Sequence, residues 1–317
     1  MILTSAHPRA SGEPNLATQA LSRATPSGAS RVVVALLAVL AFASSAAAQN
    51  RLPVVASFSI IGDFVREVGG DRVSSTNLVG PNGDAHVYTP SPADAKTIAD
   101  AKLVIVNGLG FEGWLPRLVK SSGSKAKIVA ASDGIASRKA GREADPHAWQ
   151  SVANAKIYVA NIRDALTSAD PAGADAYRSN ADAYLKKLDA LDAEIRAAVA
   201  TIPPERRKVI SSHDAFGYFT DAYGIAFIAP LGTSTNSEAG AKDLAAIIRQ
   251  VKASKIPAVF LEQVSDPRLI ARISAETGAA IGGTLYSDTL TAENGDAPTY
   301  IAMVTHNIRT LTRALAK

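Results

Sequence analysis

Three histidines and one aspartate are the side chains best suited to hold a transition metal in this chain. Of its five histidines, His86 (GPNGDAHVYTP), His147 (EADPHAW) and His213 (SSHDAFGYF) each lie in a loop beyond a strand-like run, and Asp288 (LYSDTL) follows another. Neutral imidazole suits zinc, and three nitrogens with one carboxylate oxygen can complete a tetrahedron. The competing reading is that each is a lone loop residue satisfied by local hydrogen bonds. His306, inside MVTHNIRTL, reads as a surface or packing residue. There is no cysteine, which excludes disulfides, thiolate zinc sites, cysteine nucleophiles and a cysteine-linked lipid anchor. Protons compete with metal for imidazole, so three-histidine binding should be flat above neutrality and fall below about pH 6.

The elements that must position these residues alternate between strand and helix. Leu52–Phe58, Val73–Val79, Lys102–Val106 and Lys127–Ala131 read as strands, with helices through Ile61–Val68, from Ser91-Pro92, and over Phe111–Val119. This βα alternation predicts a parallel sheet covered on both faces. From Asn154 to Ala200 no strand signal appears. There Tyr177, Ala181, Tyr184, Leu188, Leu191, Ile195 and Ala198 recur by fours and threes, one apolar stripe on a long helix that stops before Pro203-Pro204. Alternation then resumes with strands Lys208–Ser212, Ile225–Leu231, Ala258–Glu262 and Ala279–Tyr286, helices at 213–222, 240–254 and 266–277, and a final helix over Thr299–Ala316.

The expected fold is α/β, two α/β lobes joined by one long helix, with a cleft between them. The segments are 49–153 (first lobe), 154–202 (helical, including the connecting helix) and 203–317 (second lobe). In open α/β sheets ligands bind beyond the carboxyl ends of the strands. Two of the four candidate ligands come from each half, so all can face one cleft.

The chain has 317 residues, 47% hydrophobic and 20% charged, which is ordinary globular composition with room for two cores. Arg31–Gln49 (RVVVALLAVLAFASSAAAQ) has a basic start, an apolar core and an A-x-A site at Ala46–Ala48. This predicts a signal peptide over residues 1–48, with an unusually long n-region, cleavage near Ala48 and a periplasmic mature protein. Without those residues the chain has 30 basic and 28 acidic side chains. No basic patch is interleaved with aromatics, so nucleic acid is not an expected partner, and a monomer is expected.

Four stretches carry a more specific signal: Gly83–Tyr88 (GDAHVY), Asp145–Trp149 (DPHAW), His213–Phe219 (HDAFGYF) and Thr284–Leu290 (TLYSDTL). In these, from about Leu52 to Leu315, the chain resembles the zinc/manganese class of ABC-transporter periplasmic substrate-binding proteins. The resemblance implies two Rossmann-like lobes joined by one long rigid helix, with an interlobe metal held by His86, His147, His213 and Asp288. It also implies Zn2+ as transported ligand, one per chain, and delivery to a membrane permease. Members similar to manganese receptors carry a carboxylate at the position of His213, so this chain resembles the zinc type; manganese or iron is the alternative cargo. Two features depart from the family. Ala85 replaces the usual Pro, which would loosen that loop. The His-rich loop of many zinc-type members is missing, so zinc would arrive as free ions or from a periplasmic zinc metallochaperone. Glu262 (VFLEQ) ends a strand and is a candidate to stand behind the ligands; Asp84, Asp145 and Asp214 flank them and could orient imidazoles or cap helices.

Two enzyme readings compete. Gly108-Leu109-Gly110-Phe111-Glu112-Gly113 follows a strand, with Asp133 twenty residues on, a match to the dinucleotide fingerprint. It falls in the third βα unit of an exported chain, which argues against a nicotinamide oxidoreductase. A secreted zinc hydrolase would need a coordination position for water. That requires Asp288 not to be a ligand, and neither HExxH nor a serine nucleophile elbow is present. No enzymatic activity is expected.

Overall fold

The computed structural model describes residues 51–141, 143–236 and 240–316. The predicted signal peptide lies outside them. Among the described residues no helix is long and apolar enough to cross a membrane.

The first sheet is parallel, in the order β2-β1-β3-β4, from β1 (Leu52–Phe58), β2 (Val73–Val79), β3 (Leu103–Val106) and β4 (Lys127–Ala130). The central strands β1 and β3 are nearly continuous apolar runs, as burial on both faces requires, and all four side chains of β3 are buried. Between the strands run α1 (Ser59–Gly69), α2 (Pro92–Asp100) and α3 (Leu115–Ser122). Ser91 caps α2 in a capping box: its Oγ accepts the Asp94 N–H, and the Asp94 carboxylate accepts the Ser91 N–H. Loss of such a cap costs about 1 kcal/mol. The sequence places the third helix four residues early. Residues 111–114 form a turn instead, because the Glu112 carboxylate accepts the N–H groups of Asn107 and Gly108 and the Ser57 hydroxyl.

The second sheet, also parallel, runs β10-β9-β7-β8 from β7 (Lys208–Ile210), β8 (Ala226–Ile228), β9 (Ala258–Glu262) and β10 (Ala280–Leu285). Its helices are α6 (Gly217–Tyr223), α7 (Ala241–Ser254) and α8 (Pro267–Thr277). The β10–β9 register shifts between Ile281 and Thr284. The shift falls on Gly282-Gly283, where Gly283 has φ +132° and a Cβ on Gly282 would meet the Phe260 ring at 2.4 Å. Such a bulge re-aims the chain beyond it, here the segment that carries Asp288.

Between the sheets lie α4 (Val152–Ala169) and α5 (Ala174–Ala200). The apolar stripe of α5 is buried at Tyr177, Ala181, Tyr184, Leu188, Leu191 and Ile195, and continues at Val199 rather than Ala198. A final helix, α9 (Tyr300–Leu315), packs on α5 and β10. One apolar core runs from Val54 and Phe64 through Tyr184 and Leu188 to Val209, Phe260 and Leu285. Both sheets share it, so swinging the lobes apart would expose buried surface at roughly 25 cal/mol per Å². A short antiparallel hairpin that the sequence does not announce, β5 (Lys139–Ala140) with β6 (Glu143–Ala144), lies in the polar loop before His147.

Candidate metal centre

In each parallel sheet the strand order reverses beside the first strand, β1 or β7, and the chemistry gathers beyond the carboxyl ends of the strands. His86 lies in the loop after β2. His147 lies after β6, with its side chain fully buried. His213 follows β7, where it bridges to Leu231, and Glu262 closes the neighbouring β9. Asp288 follows β10.

The structure brings His86, His147, His213 and Asp288 together, with one ligand atom from each within 4.8 Å of all the others. The Nε2 atoms of His86 and His147 are 3.3 Å apart. Asp288 Oδ2 is 3.5 Å from His86 Nε2 and 2.9 Å from His213 Nε2, and Oδ1 is 3.6 Å from His147 Nε2. The closest of these, between His213 and Asp288, is an ion pair when the ring is protonated. Burial opposes charge on Asp288, but the imidazoles of His213 and His147 outweigh it and hold the carboxyl well below its usual range. Burial likewise opposes a charged His213. The carboxylates of Glu262 and Asp288 win there, raising it well above the ordinary imidazole value.

Two ligand candidates are held from behind by a carboxylate. Asp145 Oδ1 accepts the His147 backbone N–H at 3.0 Å and lies 2.8 Å from its Nδ1. Glu262 Oε1 accepts the N–H groups of Ser212 and His213 at 2.6 and 3.0 Å, while Oε2 lies 2.8 Å from His213 Nδ1. A carboxylate on Nδ1 favours the tautomer that leaves Nε2 free to bind metal. Asp84 acts on the backbone, accepting the His86 N–H at 2.9 Å. Asp214 is half-buried beside the site, and its backbone N–H goes to Gly232 O. His306 packs against Tyr286, with Nε2 3.1 Å from Thr284 O, away from the cluster.

Three features escaped sequence reading. Phe111 presents its ring to His86 and His147, and Trp149 to His147, at centroid distances of 4.7, 6.1 and 5.3 Å. The Asp288 segment is pinned to the first lobe: Ser287 O accepts from Trp149 Nε1 and Gln150 Nε2, and the Leu290 N–H goes to Ser59 Oγ. Trp149 stood in the sequence motif; its bonding partner could not be read there. Finally, the loop with Ala85 in place of Pro is fixed by another route, since Ala85 is buried and its carbonyl accepts from Trp114 Nε1 at 2.8 Å.

The glycine fingerprint has a structural explanation. Gly108 (φ +86°) makes the turn, but the buried Glu112 carboxylate takes the N–H groups that a pyrophosphate would need.

Residues 54–314 match the family model described as ZnuA, zinc-uptake complex component A periplasmic. The chain belongs to this family. It is 35% identical to the manganese-binding lipoprotein MntA of Halalkalibacterium halodurans, over 84% of this chain and 89% of that protein. To the iron-binding protein YfeA of Yersinia pestis it is 33% identical, over 89% and 96%. Its fold superposes on the periplasmic zinc binding protein TroA of Treponema pallidum with a TM-score of 0.81 at 31% identity, covering 84% of this chain and all of that one. The expected two-lobe fold is therefore correct, and membership places the chain among metal-binding receptors of ABC importers. Within this family the relatives named above are called manganese, iron and zinc binders.

Proposed function

We propose that the chain is a periplasmic zinc receptor that captures one Zn2+ with His86, His147, His213 and Asp288 and delivers it to an ABC-importer permease. The observation that carries the reading is the convergence of three imidazole Nε2 atoms on the buried Asp288 carboxylate. A buried carboxylate needs a cation against it, and a metal ion shared with the three rings can supply that charge in place of a ring proton. Zinc–nitrogen bonds of about 2.0–2.1 Å give a tetrahedron with edges of about 3.3–3.4 Å. With Oδ2 as the ligand oxygen, the separations of 3.3 Å between His86 and His147 and 3.5 Å between Asp288 and His86 are close to that, and the 2.9 Å from Asp288 to His213 is shorter. Three nitrogens and one oxygen favour zinc over manganese, which prefers oxygen-rich sites.

Asp288 in the fourth position leaves none for a catalytic water, which favours capture and delivery over hydrolysis. The lobes are 49–153 and 203–317, flanking the helical segment 154–202. Export follows cleavage near Ala48, and the sequence has no cysteine for a thioether-linked lipid. The protein acts as a monomer, loaded by free ions or by a metallochaperone. Metal analysis of protein purified without added metal, followed by competition titration, tests the cargo. One zinc per chain, displaced poorly by manganese, is expected; preferential retention of manganese or iron would overturn the zinc assignment.

A further inference from the structure

We propose that Asp84 and Thr235 form a latch across the mouth of the cleft, and that this latch sets how fast bound metal leaves. The inference rests on the receptor reading above and adds the element that moves.

His86 is held differently from the other three. His147, His213 and Asp288 are fully buried at the side chain, whereas His86 retains 5% exposure. Carboxylates of Asp145 and Glu262 grip the Nδ1 atoms of His147 and His213, and Asp288 is fixed through Ser287 and Leu290. Among the described residues no carboxylate stands on His86 Nδ1. What holds this histidine is the Asp84 Oδ1 bond to its backbone, beside the Trp114 bond to Ala85.

The other oxygen of Asp84 reaches across the cleft. Oδ2 accepts the Thr235 hydroxyl at 2.7 Å. Thr235 belongs to the segment beyond β8, whose Leu231 is bridged to His213. One carboxylate thus ties the backbone of the most accessible ligand to the opposite lobe. Both residues line an open cleft of about 640 Å³ with Val87 and Leu231. Val87, next to His86, is 47% exposed, and His86 is the one ligand candidate whose side chain retains exposure, so it stands nearest solvent. The shared apolar core resists wholesale lobe separation, and displacement of this loop is the less costly path.

A half-buried hydrogen bond of this kind is worth about 1 kcal/mol net, which corresponds to a rate factor of about five. The test is stopped-flow release of zinc from the full-length, zinc-loaded protein into excess chelator. Thr235→Val removes the hydroxyl and leaves the ligands and the Asp84–His86 bond in place. It should speed release about fivefold, with one zinc still bound per chain. Thr235→Ala makes the same comparison if valine destabilises the fold, and Thr235→Ser should restore the wild-type rate. Wild-type release from a Thr235→Val protein that still binds one zinc would overturn the latch and leave the receptor reading standing. Fast release from Thr235→Ser would also overturn it, since the hydroxyl is retained. A wild-type protein that takes up no zinc would overturn both.

Discussion

Glu262 faces His213 twice, with one carboxylate oxygen on the backbone N–H at 3.0 Å and the other 2.8 Å from Nδ1 of the ring. In Glu262→Gln the amide can turn a donor toward Nδ1. That selects the tautomer with its proton on Nε2, the atom that must bind metal. Zinc affinity should fall about 10- to 100-fold, measured by competition with a chelating dye. An unchanged affinity would show that Glu262 supports only the backbone.

Coordination number is open to optical spectroscopy. The cobalt-substituted protein should show the intense visible absorption of a tetrahedral ion. Asp288→Ala should retain the fold and three imidazoles, and should weaken binding less than replacement of any of the three histidines. A weak, octahedral-type spectrum in the wild type would contradict the four-residue site.

Protons should leave when zinc enters. In the metal-free protein the carboxylates of Glu262 and Asp288 outweigh burial and raise His213 well above the ordinary imidazole value. That shift favours the protonated ring in the metal-free protein, and zinc must displace the proton. Affinity should therefore keep rising with pH through neutrality, instead of levelling off there as unperturbed histidines would. The same shift stabilises the metal-free fold below the ordinary histidine value, a contribution lost as pH rises through the raised one. Calorimetry in buffers of differing ionisation enthalpy should report about one proton or more released per zinc; a buffer-independent enthalpy would be incompatible with this.

Asp63 gives a second pH dependence, remote from the metal. Its buried carboxylate accepts the Tyr300 N–H at 2.8 Å, at the start of α9, and pairs with Arg66 at 3.2 Å. Burial outweighs these partners and pushes the carboxyl up to about 6. The folded state then binds the proton more tightly than the unfolded chain. The contribution is fully present below the ordinary carboxylate value and is lost as pH rises through about 6. Asp63→Asn keeps an acceptor for Tyr300 without the charge. Relative to wild type, the variant should gain roughly 2 kcal/mol in urea unfolding at pH 7.5 over pH 4.5. Equal differences at the two pH values would refute the assignment.

Much of this protein was legible in its sequence, because its signals are local. The apolar runs Leu52–Phe58 and Ala258–Glu262 are strands over those same residues, since a central parallel strand is buried on both faces and shows it in composition; the edge strand Val73–Val79 also keeps its expected bounds. Ser91-Pro92 starts a helix where expected because the cap is a contact between neighbours. The ligand candidates could be named because few side chains can bind zinc and each of the four followed a strand. Tertiary structure decided the rest. The turn at Phe111 replaces a helix because Glu112 finds Ser57 on another strand, and the hairpin before His147 reads as polar loop until its two strands pair. The grip of Glu262 on His213, the lacing of Asp288 to Trp149 and the reach of Thr235 to Asp84 span 49 to 151 residues. Such contacts leave no periodicity in the chain, because they depend on how the two sheets are set against each other by a core that both share.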